Sequence, residues 1–376
     1  MLAELRRIDL ALLLAILILV ALGVEMVFSA SFVVAHNEFG DGTYFLIRHL
    51  LWISLGFVGL TVTASIDYRR LPAFALPLYG LSLGLLFLVL IPGLGQVTYG
   101  SARWLNFGPL SFQPSEITKV ALVIYLASWL ARVGDTVNNL TRGVIPFALI
   151  LLITAGLVLL EPNLGTAVVL TATAASTFFV AGVSVIHTIV AALFGAGGLA
   201  VLMMLIHTAA GAGYWAQRIE AFLDPWMYAE GIGWQTTQTL IALGSGGITG
   251  LGLGEGRQKY YYVPNAHTDS IFAIVGEEIG FIGTVLVLLL FLFIAWRGLS
   301  IAARAPDLLG RLLAAGLTSL VVWQALLNMA VISNTVPYTG VPLPFVSYGG
   351  SSMVINLCAV GVLLSVSRRA RGQPGG

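Results

Sequence analysis

Apolar residues gather in runs close to the 20 residues that cross a bilayer's hydrocarbon core as a helix. Ten such runs follow one another, at 8–34, 44–66, 71–91, 115–131, 143–160, 166–181, 185–208, 270–296, 311–332 and 347–366. The first opens behind Arg6 and Arg7, as a secretory signal would. A signal's apolar core is only about 7–15 residues, however, so a retained helix is expected. Pro92-Gly93 stops the third run, and Pro114 begins the fourth, where a first helical turn tolerates proline. The sixth is heavy in Ala and Thr, as close helix packing in lipid favours. Between the third and fourth lies a turn-rich loop, 93–113, holding Arg103, Trp104 and Phe107. Residues from about 209 to 269 leave the membrane, and 232–243 within them read as an interfacial amphipathic helix anchored by Trp234. Pro337, Pro342 and Pro344 keep the segment between the ninth and tenth runs extended. The pattern predicts an all-α polytopic membrane protein, one unit over residues 1–376, with ten transmembrane helices.

Charge then orients it. Ten spans put both termini on one side, and twelve of the 18 lysines and arginines fall there: Arg6, Arg7, Arg69, Arg70, Arg132, Arg142, Arg297, Arg304, Arg311, Arg368, Arg369 and Arg371. Arg48, Arg103, Lys119, Arg218, Arg257 and Lys259 lie on the other. The positive-inside rule makes both termini cytoplasmic and the large loop between the seventh and eighth helices extracytoplasmic. Composition agrees with immersion in lipid: 58% of residues are hydrophobic and 9% charged, against about 25% charged in soluble domains. A net charge of +1 gives no basic patch for a nucleic-acid partner. Cys358 is the single cysteine, so no intrachain disulfide can form.

Every chemically suggestive loop falls on the outer face, and the richest stretch is 244–283, where glycine, polar and ionisable residues crowd together. His267-Thr268-Asp269 stands just before an apolar run. A carboxylate at the mouth of a membrane helix is costly to desolvate and marks a functional candidate. It also suits a plain helix cap, and the two roles can coexist. Glu116 and Lys119, three residues apart on one helix face, read either as a self-neutralising pair or as a cation facing the outer cavity. Gly250, Gly252 and Gly254 lack the spacing of a dinucleotide fingerprint, the five histidines are too scattered for an HExxH site, and Ser347, Ser351 and Ser352 sit in no GxSxG elbow. A general base with cations beside it fits attack of a hydroxyl on a sugar whose leaving group is a diphosphate. The same groups fit binding of an anionic lipid headgroup, which leaves an enzyme and a lipid transporter level.

Four stretches break the tie: RWLNFGPLSFQPSEITKVALVIYLA, EPNLGT, GIGWQTTQTLIALGSGGITGLGLGEGRQKYYYVPNAHTDSIFAIVGEEIG and TGVPLPFVSYGGSS. In wording and order they resemble the SEDS family, which includes RodA and FtsW, and RQKYYYVPNAHTD and TGVPLPFVSYGGSS are closer to FtsW. The resemblance implies a glycosyltransferase of the bacterial cytoplasmic (inner) membrane. It would polymerise lipid II into glycan strands at the outer face, for division or elongation. A class B penicillin-binding protein and other divisome or elongasome membrane proteins would be its partners. The family's essential aspartate matches Asp269. Its Arg-Trp, Pro-Ser-Glu and Lys positions match Arg103, Trp104, Pro114, Ser115, Glu116 and Lys119. Lys259, His267 and Ser347, inside the matching stretches, join Arg103, Trp104, Glu116 and Lys119 as candidate substrate contacts.

Two positions depart from the pattern. Asn163 replaces the usual acidic residue of the (E/Q)PDLGT turn, and Ser270 replaces the usual aromatic after HTD, loosening the hold on Asp269. The expectation is that Asp269 takes the proton of the acceptor hydroxyl, while Arg103, Lys119 and Lys259 stabilise the undecaprenyl diphosphate leaving group. The sequence assigns no cofactor. A divalent cation at Asp269 or Glu116 stays open, without a ligand set in the sequence. The rival classes are a lipid II flippase, for which broken intramembrane hairpins would speak, and a non-catalytic division scaffold.

Overall fold

The computed structural model describes residues 8–98, 101–107, 110–189 and 213–370. The elements in chain order are α1 (Leu10–Phe39), α2 (Tyr44–Ser65), α3 (Leu71–Val89), β1 (Gly95–Thr98), β2 (Ser101–Phe107), β3 (Leu110–Phe112), α4 (Pro114–Val133), α5 (Ile145–Leu160), α6 (Leu164–Val180), α7 (Gly213–Leu223), α8 (Trp234–Ser245), α9 (Ile271–Ala303), α10 (Leu308–Ile332) and α11 (Gly350–Ala370). Among the described residues, eight helices are long and apolar enough to cross a membrane, and α6 is a shorter apolar helix. Each coincides with an apolar run of the sequence. The seventh run lies outside the described residues beyond 189, as do Arg6, Arg7 and Arg371.

The ends of the helices are set locally. Asp9 caps α1 by accepting from Leu12 N–H at 3.1 Å, Asp307 caps α10 by accepting from Gly310 N–H at 2.8 Å, and Pro114 opens α4. Asn163 caps α6, accepting from Thr166 N–H at 3.2 Å, so the departure from the acidic pattern keeps the capping oxygen. Leu14, Leu51, Leu76, Leu149, Phe281 and Leu289 point outward, an apolar exterior that suits hydrocarbon. Inside, α11 lies along α2, where Thr63 Oγ donates to the Cys358 carbonyl at 3.0 Å. One end of the bundle is tied by Asp9–Arg297, Asp67–Arg369 and Arg69–Asp307 ion pairs.

Three features were not readable as runs. The turn-rich 93–113 stretch forms a three-stranded antiparallel sheet in the order β1-β2-β3, so the chain is mostly, not wholly, helical. Its strands are short and broken by Gly and Pro, which masks their alternation. Helix α8 runs over 234–245 where the sequence predicts a helix at 232–243, but Thr236, Thr237, Gln238 and Thr239 are buried. Their burial is tolerable because hydroxyls such as those of Thr237 and Thr239 donate to carbonyls one turn back, at 3.0 and 2.9 Å. Helix α9 is broken at Gly280, whose φ of 74° is a left-handed value that glycine adopts without penalty. The freed backbone groups are taken up by the 246–252 loop: Phe281 and Ile282 N–H donate to Gly247 and Ile248 carbonyls, and Leu251 and Gly252 N–H to those of Glu277 and Glu278. That exchange allows a helix in lipid to break.

Candidate active site

The end of the bundle opposite those ion pairs collects the starts of α4, α6, α9 and α11 and the loops before them. Asp269 ends the turn before α9. Ser270, not Asp269, occupies the N-cap, and no side chain caps that helix. The carboxylate of Asp269 is instead held by two hydroxyls, Tyr338 donating to Oδ2 at 2.6 Å and Thr268 to Oδ1 at 3.1 Å. The capping role the sequence allowed is therefore unfilled. Burial pushes the Asp269 carboxyl up from its ordinary range, against the hydroxyl bonds and the Arg218 guanidinium, which pull it down. Asn328 on α10 donates to the Asp269 and Val341 carbonyls, both at 2.7 Å, clamping the turn to the proline-rich loop. Gly340 has φ 66°, and a Cβ there would lie 3.2 Å from Asp269 Oδ2, so glycine lets this loop pass the carboxylate without strain or crowding.

One turn earlier on α10, Gln324 continues the same face. Its Nε2 donates to the Pro342 carbonyl at 3.0 Å, and its Oε1 accepts from Lys119 Nζ at 2.6 Å. Lys119 also pairs with Glu116 at 2.8 Å, and both residues are only 2% exposed. The Lys119 ammonium thus does not face an open cavity. It is an internal ion pair beneath the proline-rich loop, about 6 Å along α10 from the Asn328 clamp. Residues four apart on a helix share a face, which is how Asp269 and the pair come to adjoin.

Arg103 on β2 donates to the Glu161 carbonyl at 3.1 Å and to the Pro162 carbonyl, fastening the sheet to the turn before α6. Burial raises the Glu161 carboxyl to about 8, with Arg103 opposing, so this acid is largely protonated at neutral pH. The same turn reaches the proline-rich loop, since a Cβ on Gly165 would meet Val341 and Thr339. Trp104, next to Arg103, is half-buried. His267 packs on Phe45 and Tyr348, with ring centroids 4.6 and 5.6 Å away, and burial lowers it to about 4, so it is neutral at physiological pH. Ser347 is buried and accepts from Leu343 N–H at 2.8 Å, holding its own loop.

Lys259 joins a second cluster. Its ammonium pairs with Glu278 at 2.8 Å and donates to Ser29 Oγ and the Gly254 carbonyl, while Glu277 accepts from Arg257 and Gln258 N–H. That cluster fastens the 246–259 loop to the break in α9. Of the expected residues, then, Asp269, Glu116 and Lys119 are tied to one strip of α10, Arg103 is tied to the turn before α6 with Trp104 next to it on β2, and Lys259 is engaged elsewhere. Tyr338, Gln235 and Asn328 escaped the reading of the sequence. The signal was there for Asn328, a polar residue in an apolar run that needs a partner. Tyr338 carried none. Among the described residues, no group of three or more His, Cys, Asp or Glu gathers at Asp269 or Glu116.

The family model FtsW/RodA/SpoVE, described as cell cycle protein, matches residues 10–372. This chain belongs to that family. The FtsW/RodA/SpoVE relatives include a probable peptidoglycan glycosyltransferase FtsW from Trichlorobacter lovleyi, 43% identical over 362 residues, or 96% of this chain and 93% of the relative. Stage V sporulation protein E from Bacillus subtilis is 41% identical over 364 residues, 96% of this chain and 98% of its own. Among solved structures, a chain of a peptidoglycan synthase complex superposes with TM-score 0.77 at 31% identity, covering 98% of this chain and 99% of that one. The rod shape determining protein RodA of Thermus thermophilus superposes with TM-score 0.69 at 30% identity, covering 98% of both chains. Like its family, the chain is a multi-pass protein of the bacterial cytoplasmic membrane.

Proposed function

We infer that this chain is a peptidoglycan glycosyltransferase that polymerises lipid II, and that Asp269 is its general base. The observation that carries the assignment is the placement of that carboxylate: at a helix mouth, not capping the helix, and held by hydroxyl donors. The acceptor sugar's hydroxyl attacks the anomeric carbon of the donor. Its O–H proton passes to Asp269, and the bond from the anomeric carbon to the diphosphate breaks. Arg103 and Arg218 stabilise the developing diphosphate charge, and Trp104 and His267 line the approach. Glu116 and Lys119 form the polar floor under the proline-rich loop that carries Ser347. Lys259 acts through the loop it fastens. A class B penicillin-binding protein is the partner whose crosslinking would consume the strand.

The test is incubation of the purified protein with lipid II, with and without a class B partner. Glycan polymer is the expected product. Movement of lipid II between leaflets without polymer would favour the flippase, for which the break at Gly280 speaks. That break, though, is closed by the 246–252 loop and not left as a binding site.

The same reading sets ten spans, cytoplasmic termini and an outward loop over 209–269, where lipid-linked sugar is available. In a Cys358→Ser background, Asn265→Cys is expected to react with an impermeant thiol reagent on intact cells, and Ala303→Cys to stay unlabelled. Labelling of position 303 alone would place Asp269 in the cytoplasm and end the proposal.

A further inference from the structure

We propose that Tyr338 is a positioning residue for Asp269: its phenol engages one carboxylate oxygen, so that the other is free to take a proton, and holds the carboxylate in its ionised, accepting state. This rests on the reading of Asp269 as the base. The geometry starts at Gln235 on α8, whose Nε2 lies 3.3 Å from the Pro264 carbonyl, 3.2 Å from Ser270 Oγ and 2.5 Å from the Tyr338 hydroxyl. A carbonyl can only accept, so the Gln235 atom facing Pro264 must be the nitrogen. The same nitrogen then donates to the phenol oxygen, and the phenol hydrogen is left for Asp269 Oδ2, 2.6 Å away. A carboxylate accepting that short bond is matched in its ionised form. Oδ1 faces the Thr268 hydroxyl at the longer distance of 3.1 Å, a hydroxyl that the Asn265 carbonyl shares at 3.1 Å, and is the oxygen left for the acceptor's proton.

The rest of the surroundings keep the phenol in place. Arg218 Nη1 donates to the Tyr338 carbonyl at 2.6 Å, and its guanidinium lies 5.9 Å from the ring centre. Ser270 is fully buried and small, and its hydroxyl bonds Pro264, 3.2 Å away, so the space beside Asp269 goes to the phenol. The charged or titratable groups acting on Asp269 are Tyr338 from the proline-rich loop and Arg218 from α7, while His267 in the same turn is kept neutral by burial. A phenol there for packing alone would need no oriented amide behind it.

Tyr338→Phe keeps the ring and removes the donor. Removal of a bond to the ionised form raises the pH at which the base is lost. The expected result in lipid II polymerisation is a rate about tenfold lower at neutral pH. The acid limb of the pH–rate profile should move upward by about one pH unit, with the KM for lipid II within about twofold of the parent. Gln235→Leu, which frees the phenol to turn its hydrogen away, should move the limb in the same direction by less. A limb that stays put in both variants, whatever the rate, overturns the proposal and leaves Tyr338 as packing. Asp269→Asn run alongside separates the two levels. If that variant is inactive while Tyr338→Phe is unaltered, only the role of Tyr338 falls. If it is fully active, the general-base reading itself falls.

Discussion

Asp269→Asn is expected to yield a folded protein that polymerises lipid II about 10²–10⁴ times more slowly, the usual loss when a general base is removed. The substitution is close to isosteric. Its amide oxygen can still accept from one of the Tyr338 and Thr268 hydroxyls, and the other hydroxyl can rotate to accept from its nitrogen. The start of α9 is not at stake, because Ser270 holds the N-cap position and Asp269 makes no capping bond. The backbone clamp from Asn328 to the 269 carbonyl is untouched by the change. Folding and catalysis should therefore separate cleanly. The check is an initial rate of glycan polymer formation beside a thermal unfolding curve in detergent. A wild-type rate would remove Asp269 from the chemistry, and a collapsed unfolding temperature would return it to a structural role.

The second large effect is expected at the buried pair. Lys119→Met leaves the Glu116 carboxylate, itself almost wholly enclosed, without its cation. Breaking one side of a buried pair costs about 3–5 kcal/mol. The Gln324 carbonyl oxygen would also lose its 2.6 Å donor, loosening the clamp on the Pro342 carbonyl. Glu116→Gln/Lys119→Met removes both charges and should recover most of that stability, since replacing a whole buried pair is often neutral. Unfolding temperatures of the single and double variants measure the first point, and polymerisation by the double variant measures the second. A folded double variant with full activity makes the pair purely structural. A folded but inactive one gives Glu116 and Lys119 the substrate-facing role their sequence pattern suggested.

Where the bundle's helices lie was legible in the chain itself. Runs such as 44–66 and 311–332 have only one inexpensive solution in hydrocarbon, a helix that satisfies its own backbone, and α2 and α10 follow them within a few residues. Asp269 was legible for the same reason, because an ionisable group at a membrane helix mouth must have a purpose or a partner. Local sequence could not tell which. The helix-capping alternative was excluded only when Ser270 took the cap and Tyr338, 69 positions away, took the carboxylate. Likewise, Glu116 and Lys119 announced a pair by their spacing, but Gln324, 205 positions from Lys119, decided that the pair faces inward. Lys259 looked like a site cation until Ser29 and Glu278 claimed it. The division has a physical cause. Immersion in lipid acts on each segment alone and is written in hydropathy. The direction a buried hydrogen or charge must point depends on which distant acceptor the packing brings within about 3 Å, and only the assembled bundle supplies that acceptor.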